Sequence, residues 1–380
     1  MHIALVTEAF LPLKNGVVNA VLLIHDELKR QGHQVSIIAP ATPGVRVRLR
    51  GLHSVPALPL PGRSGYSLSF PHLSQLHKLL ARAHIIHTHH PFTLGHWALK
   101  IAKRAHRPLI FTNHTQYMNY THHVPVIGSI LKEPLAKYVT EFINQCTVVV
   151  APALSTLKAL KADGITAPIQ HVPNGIDVGH FATGDVLYLS KRLALKIDTP
   201  ILLYSGRLSE EKNLEFLIRT IAALPEHPHL ALVGDGPQRA ELEILAHTLK
   251  ASERIHFLGA MPYEKMPHVY AGATFFVTAS KSEVHPLTVL EAFAAGLPAV
   301  VFDARGTADI VEDHRTGIVS RPTHTAFSAG IRQLLHRPAL REQYGKMAQA
   351  VAKKQYSVKA TTQRLLDTYR LAIRLAHIDD

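Results

Sequence analysis

The chain has 380 residues, 47% of them hydrophobic and 18% charged, with a single cysteine and a formal net charge of +13. That length exceeds one ordinary core and suits two domains, and no run of about 18 uninterrupted apolar residues reads as a membrane span. Cys146 alone excludes an internal disulfide and a cysteine-cluster metal site, and its apolar neighbours mark it as a core residue.

The N-terminus enters a strand-like run, Ile3 to Thr7, without a signal-peptide pattern, so a cytoplasmic chain that does not span a membrane is expected. Further apolar runs at Val35–Ala39, His84–His87, Leu109–Asn113, Thr147–Ala151 and Gln170–Val172 read as strands. Helical spacing fills the gaps. Val17 to Gln31 carries apolar residues at Val18, Leu22, Ile24 and Leu28 before Gly32, a C-cap signal, and Phe92 to His106 repeats the pattern. Such alternation predicts α/β architecture with a parallel sheet. The rhythm restarts at Ile201–Ser205 and continues through Leu230–Val233, Ile255–Leu258, Thr274–Thr278, Ala299–Phe302 and Gly317–Val319, a second Rossmann-like domain. Asn174 to Pro200, with a helix-like Val186–Leu195, reads as the connection, giving expected domains at 1–175 and 176–357. The last helix, Val358 to His377, could fold back on the first domain.

The charge is uneven. Residues 1–183 hold 17 Lys or Arg against 7 Asp or Glu, whereas residues 184–380 hold 24 against 21. Between Gly44 and Arg107 ten basic residues meet no acid, and they are mixed with the apolar residues of Leu58 to Phe70. Such a face suits anionic lipid or nucleic acid, although a basic pI without a target is also common.

The segment from Thr278 to Pro298 carries the most chemistry. A buried strand ends near Ala279, and a helix runs from Leu287 to Ala295, stopped by Gly296 and Pro298, with Pro286 suited to its first position. Glu283 then lies in the loop above the strand and Glu291 about one and a half turns into the helix, on either side of free helix N–H groups that favour an anion. Carboxylates accept hydrogen bonds from vicinal hydroxyls, so the pair could hold a hexose and a ribose joined by a diphosphate. Taken alone, the two glutamates could equally be solvated acids on an ordinary βα unit.

Other motifs decide between these readings. Gly206-Arg207-Leu208-Ser209-Glu210-Glu211-Lys212-Asn213 follows the first strand of the second half, Gly234-Asp235-Gly236-Pro237 follows the next, and Pro173-Asn174-Gly175-Ile176-Asp177 precedes both. With the paired glutamates, these resemble the retaining glycosyltransferases of family 4, whose GT-B fold has two Rossmann-like domains facing a cleft. The resemblance implies that Arg207 and Lys212 hold the donor diphosphate and stabilise its departing charge. It gives Glu291 the ribose hydroxyls, Glu283 the hexose hydroxyls, and Leu287 and Thr288 phosphate and sugar contacts. It also implies no resident metal, the nucleotide sugar being a co-substrate. Many relatives place an aromatic residue and a glycine where this chain has His285 and Pro286; proline lacks an N–H, so one phosphate donor is absent and sugar selection could differ.

In the first half, Gly16 within Pro12-Leu13-Lys14-Asn15-Gly16-Val17-Val18 is expected to let backbone approach the diphosphate at a helix start, as in the relatives, unless it serves a simple tight turn. His87-Thr88-His89-His90-Pro91-Phe92-Thr93-Leu94-Gly95 and Phe111-Thr112-Asn113-His114-Thr115-Gln116-Tyr117-Met118-Asn119-Tyr120 follow two adjacent strands. Crowded histidines invite zinc, but no carboxylate or cysteine accompanies them. His114 matches the family's active-site histidine near the reacting sugar, and His89 could be structural. Both segments resemble the branch that glucosylates diacylglycerol, implying UDP-glucose as donor and a lipid acceptor at an anionic membrane surface, with the protein held peripherally on the inner face of the cell membrane. Val124 to Tyr138 mixes apolar and basic residues as an interfacial or a core-facing helix would.

Three rivals stay open: a GDP-mannose-dependent phosphatidylinositol mannosyltransferase, a transferase with a soluble acceptor, and a sugar-nucleotide 2-epimerase of the same architecture. The epimerase needs acid/base carboxylates in the first half, where none appears in these motifs. A basic nucleic-acid-binding protein would explain the pI but not Arg207, Lys212, Glu283 and Glu291 together.

Overall fold

A computed structural model describes residues 1–13, 15–42, 44–59, 67–115 and 128–378. It divides into two compact units, Met1–Gly175 with Val358–Asp380, and Ile176–Ser357.

The first unit contains β1 (His2–Val6), β2 (Gln34–Pro40), β3 (Leu52–Val55), β4 (Ala57–Pro59), β5 (Ser67–Ser69), β6 (Ile85–Thr88), β7 (Leu109–Thr112), β8 (Val148–Ala151) and β9 (Ile169–His171). Seven of these form one parallel sheet in the order β3-β2-β1-β6-β7-β8-β9, while β4 and β5 make a separate antiparallel ribbon. The strands are short runs of Val, Ile, Leu and Phe because both faces are covered. Successive residues alternate between two apolar layers: Ala4, Val6, Ile86 and Phe111 face one, and Ile3, Leu5, Ile85 and Ile110 the other. The C-terminal helix, Val358–Ile378, joins the second layer through Leu365, Leu366, Tyr369 and Ala372.

The second unit repeats the plan with β10 (Ile201–Ser205), β11 (His229–Val233), β12 (Ile255–Gly259), β13 (Phe275–Thr278), β14 (Ala299–Phe302) and β15 (Gly317–Ser320), parallel in the order β12-β11-β10-β13-β14-β15. Leu203 and Phe276 bury on one face, and Leu202 and Phe275 on the other.

Two expectations change. The helix expected at Val186–Leu195 is only Tyr188–Arg192, and a short turn of helix, Val178–Phe181, precedes it; Phe181 and Leu189 are buried in the second unit's core, so this stretch is part of that unit rather than a free connection. Strands β3 to β5 were not expected, since Pro56, Pro59 and Gly51 interrupt the apolar pattern there. Of the segment Val124 to Tyr138, the described part begins the helix Gly128–Asn144; Leu135 packs against the core, Glu133, Pro134, Lys137 and Tyr138 are exposed, and the fully buried Val139, Phe142 and Ile143 lie beyond the segment. Burial raises the Cys146 thiol pKa above its ordinary value, as suits an inert core residue.

Candidate active site

In each sheet the strand order reverses once, between β1 and β6 and between β10 and β13. Loops leaving the carboxyl ends of such a pair diverge to opposite faces of the sheet and leave a crevice, the usual ligand site of open α/β sheets.

In the second unit, the loop after β10 is built on buried anchors. Tyr204 Oη donates to the carbonyl of Arg207 at 3.0 Å, Leu208 is fully buried, and the Gly206 N–H donates to Val233 O at 2.9 Å. Arg207 is thereby turned outward and exposed. A 3-10 turn, Glu210–Lys212, follows and ends at Asn213 in the left-handed region, where the side chain donates to Ala279 O at 3.2 Å and ties this loop to the end of β13. The loop after β13 supplies the counterpart. Lys212 Nζ lies 2.5 Å from Glu283 Oε1, both side chains less than a fifth exposed, and Ser280 Oγ donates to the same oxygen at 3.0 Å. A cation beside a carboxylate at the crevice can serve both an anion and a sugar hydroxyl.

The helix Leu287–Ala294 begins next. Pro286 is its N-cap rather than its first residue, with extended ψ of 117°, and supplies no side-chain cap. The helix start is therefore available to an anion near Leu287 and half-buried Thr288. His285 is buried, its ring edge-on to Tyr356 at 5.6 Å. Glu291 is the fifth residue of this helix, only 7% exposed, and accepts a 2.6 Å hydrogen bond from the fully buried Tyr270 hydroxyl. Burial pushes its carboxyl up to about 7, against the lowering effect of that hydrogen bond.

In the first unit, Thr7 and Glu8 follow β1 and His89 and His90 follow β6. Glu8 is buried and its Oε1 accepts from the N–H groups of Leu94, at 2.8 Å, and Gly95, at 3.4 Å, the first turn of helix Thr93–Arg104. Burial raises its carboxyl to about 7, although both backbone hydrogen bonds act the other way. Its own N–H donates to His90 Nδ1 at 3.2 Å. Gly95 permits this docking, because a Cβ there would sit 1.9 Å from His90 O.

The remaining histidines form a buried chain. His87 spans Tyr369 Oη, at 2.8 Å from Nδ1, and Thr112 Oγ1, at 2.7 Å from Nε2. His89 packs on His87 with ring centroids 4.3 Å apart, and its Nδ1 lies 2.8 Å from Nε2 of half-buried His114. His87, Thr112 and His114 line one side of a small cavity, with Thr361 and Thr362 of the C-terminal helix on another. Among the described residues, no three of His, Cys, Asp and Glu converge as a metal site would require. Gly16 opens the helix Gly16–Arg30, one residue earlier than expected, and is exposed; Asn15 caps that helix by accepting from Val18 N at 2.9 Å. Lys14 and the Gln116–Tyr120 end of the second histidine segment lie outside the described residues.

Thus Lys212 and Glu283 are brought into contact, Arg207 shares their loop system, and Glu291 sits behind them against Tyr270. Glu8, Ser280, Tyr270 and Tyr369 were absent from the sequence reading. Of these, Ser280 alone had a local signal, three residues before Glu283 in the same loop.

Comparison with known proteins gives matches along most of the chain. Residues 14–180 match the family described as Glycosyltransferase Family 4, and residues 189–351 match Glycosyl transferases group 1. An alpha-monoglucosyldiacylglycerol synthase of Streptococcus pneumoniae is 26% identical over 354 residues, covering 90% of this chain and 80% of the relative. A GDP-mannose-dependent alpha-mannosyltransferase of Mycobacterium tuberculosis is 30% identical over 331 residues, covering 84% and 83%. Among solved structures, Anabaena HepE in complex with UDP superposes with a TM-score of 0.79 at 18% identity, over 97% of this chain and 100% of that one.

Proposed function

The chain belongs to the retaining glycosyltransferases of family 4, of GT-B fold, and from that membership we propose that it moves a hexose from a nucleotide sugar to a membrane lipid, with UDP-glucose and diacylglycerol as the first candidates. The observation that carries the donor half is the Lys212–Glu283 contact at the β10–β13 reversal. Arg207 and Lys212 hold the diphosphate, the start of the Leu287–Ala294 helix adds N–H donors, Glu283 takes hexose hydroxyls and Glu291 ribose hydroxyls. For the first unit, taken by itself, the family resemblance gives Gly16 the donor diphosphate and His114 the reacting sugar. The C1–O bond to the diphosphate breaks with its electron pair leaving on the phosphate oxygen, which Arg207 and Lys212 stabilise. The acceptor hydroxyl oxygen bonds to C1 on the same face, and its proton passes to a phosphate oxygen, so configuration is retained. The donor serves as co-substrate without a resident metal.

Support for a lipid acceptor comes from the first unit's surface and the S. pneumoniae relative. Leu58 and Leu68 are direct register partners on the β4–β5 ribbon and are exposed, as are Phe70 and Leu73. Arg46, Arg48 and Arg50 are exposed on the preceding segment. Exposed apolar side chains together with exposed cations suit the inner face of an anionic membrane. No helix among the described residues is long and apolar enough to cross a membrane. The M. tuberculosis relative supports GDP-mannose as the second reading of the donor.

A panel of labelled UDP- and GDP-sugars with neutral and anionic diacylglycerol-containing liposomes tests this. Label should enter the lipid fraction from UDP-glucose, faster on anionic liposomes. Transfer only to water-soluble acceptors, or from no donor, would remove the lipid reading.

The raised Glu291 carboxyl gives a separate expectation. Ribose hydroxyls donate to the ionised form, so binding must draw the proton off. UDP-glucose, whose diphosphate does not titrate near neutrality, should bind about tenfold more tightly per pH unit up to about 7 and level off above. Glu291→Gln should flatten that profile in a calorimetric titration; an unchanged profile would assign the pH dependence elsewhere.

A further inference from the structure

We infer that His89 is a positioning residue that fixes the tautomer of His114, so that His114 presents an Nδ1–H donor to an oxygen of the bound donor sugar. The placing of His114 against that sugar is the reading above, on which this inference rests; the assignment of the proton comes from the first unit itself.

The contact between His89 Nδ1 and His114 Nε2 is 2.8 Å, so one of these nitrogens carries the proton and the other accepts it. The far sides of the two rings decide which. His89 Nε2 is buried and meets no hydrogen-bond partner among the described residues. If His114 were the donor, neutral His89 would carry its proton on that Nε2, leaving a buried N–H with nothing to bind. If His89 is the donor, only a lone pair is left there, and an unmet acceptor is tolerated more readily than an unmet donor. His89 Nδ1–H therefore donates, His114 Nε2 accepts, and the His114 proton sits on Nδ1. That atom meets no partner among the described residues, and the ring is half-buried.

The arrangement is held from behind. His89 N–H donates to Val6 O at 2.9 Å, and the ring lies against His87, which is itself pinned between Tyr369 and Thr112. His89 is fully buried, so it cannot turn to offer its other nitrogen without displacing that stack. Burial, with His90 and His87 nearby, pushes His114 down to about 3, and burial acts the same way on His89, so both rings are neutral at physiological pH and the proton count assumed above applies.

Asparagine and aspartate at position 89 separate a donor from an acceptor at nearly constant shape. The Asn side-chain nitrogen overlays Nδ1 and can donate to His114 Nε2; ionised Asp can only accept, and would force the proton onto Nε2. His89→Asn should keep kcat for hexose transfer within about threefold of wild type, and His89→Asp should lose about a hundredfold in kcat with nucleoside diphosphate affinity unchanged. Equal rates in the two variants, or a faster Asp variant, would overturn the inference. The tautomer has a readout independent of activity and of variant folding. In protein labelled with 15N-histidine, the ring signals missing from His114→Gln should show a protonated Nδ1 and an unprotonated Nε2. The opposite pattern overturns the assignment. Loss of all transfer in wild type with the expected ring pattern would instead fault the functional reading and leave the tautomer standing.

Discussion

Lys212→Ala should lower hexose transfer by about a thousandfold and Glu283→Ala by about a hundredfold, with both proteins folded. In the proposed site Lys212 is the mobile cation, and its ammonium rests on Glu283. When a diphosphate arrives, the ammonium can serve both, so its charge is present where the leaving group gains negative charge. Removing it does more than delete an attraction. It leaves the Glu283 carboxylate, held by Ser280 and less than a fifth exposed, beside the incoming anion. Removing Glu283 as well relieves that repulsion. The double variant Lys212→Ala/Glu283→Ala should therefore bind nucleoside diphosphate more tightly than Lys212→Ala alone, a non-additivity that a double-mutant cycle measures. If the pair were only a structural tie between two loops, each substitution would move the melting temperature and leave turnover near wild type.

Gly234→Ala should destabilise the second unit by about 3 kcal/mol and abolish donor binding. Gly234 has φ of +134°, and a Cβ on it would sit 1.9 Å from the carbonyl oxygen of Gly206. The obstacle is backbone, so no side chain can swing aside. It is also the backbone that precedes Arg207, so relief of the clash shifts the loop that carries the arginine. Gly164→Ala is the control. Its φ is +80° and an added methyl would meet nothing within 4 Å, so it should cost only about 1 kcal/mol and leave donor binding intact. Urea unfolding of the two variants, followed by nucleotide titration, makes the comparison. Equal costs would show that the close approach of the two loops is not what holds the site.

Much of this architecture is written locally. Strands β1, β10, β13 and β14 are apolar on both faces, and runs such as Ile201–Ser205 and Ala299–Phe302 therefore stand out from the amphipathic helices between them. Strands β3 to β5 do not, because they are short, interrupted by proline and glycine, and partly exposed. The residues proposed for the donor stand out in the sequence because Arg207 and Lys212 share one loop, and Glu283 and Glu291 one βα unit. Their environments were not. That Lys212 rests on Glu283, 71 residues on, depends on β10 and β13 being neighbours, and the raised Glu291 carboxyl depends on burial in the core, against the lowering hydrogen bond from Tyr270. Glu8 was invisible for the same reason: a lone acid after β1 gains meaning only when the N–H groups of Leu94 and Gly95, 86 and 87 residues on, close over it. Likewise His87 meets Tyr369 across 282 residues, a pairing no local spacing encodes.

The donor site is tested most directly by titrating UDP and GDP calorimetrically into the wild-type protein and into Lys212→Ala. One of the two nucleotides should bind wild type, with affinity falling about fiftyfold in the variant. Equal affinity in the two proteins would contradict the assignment of Lys212 to the donor diphosphate, and with it the account of this site.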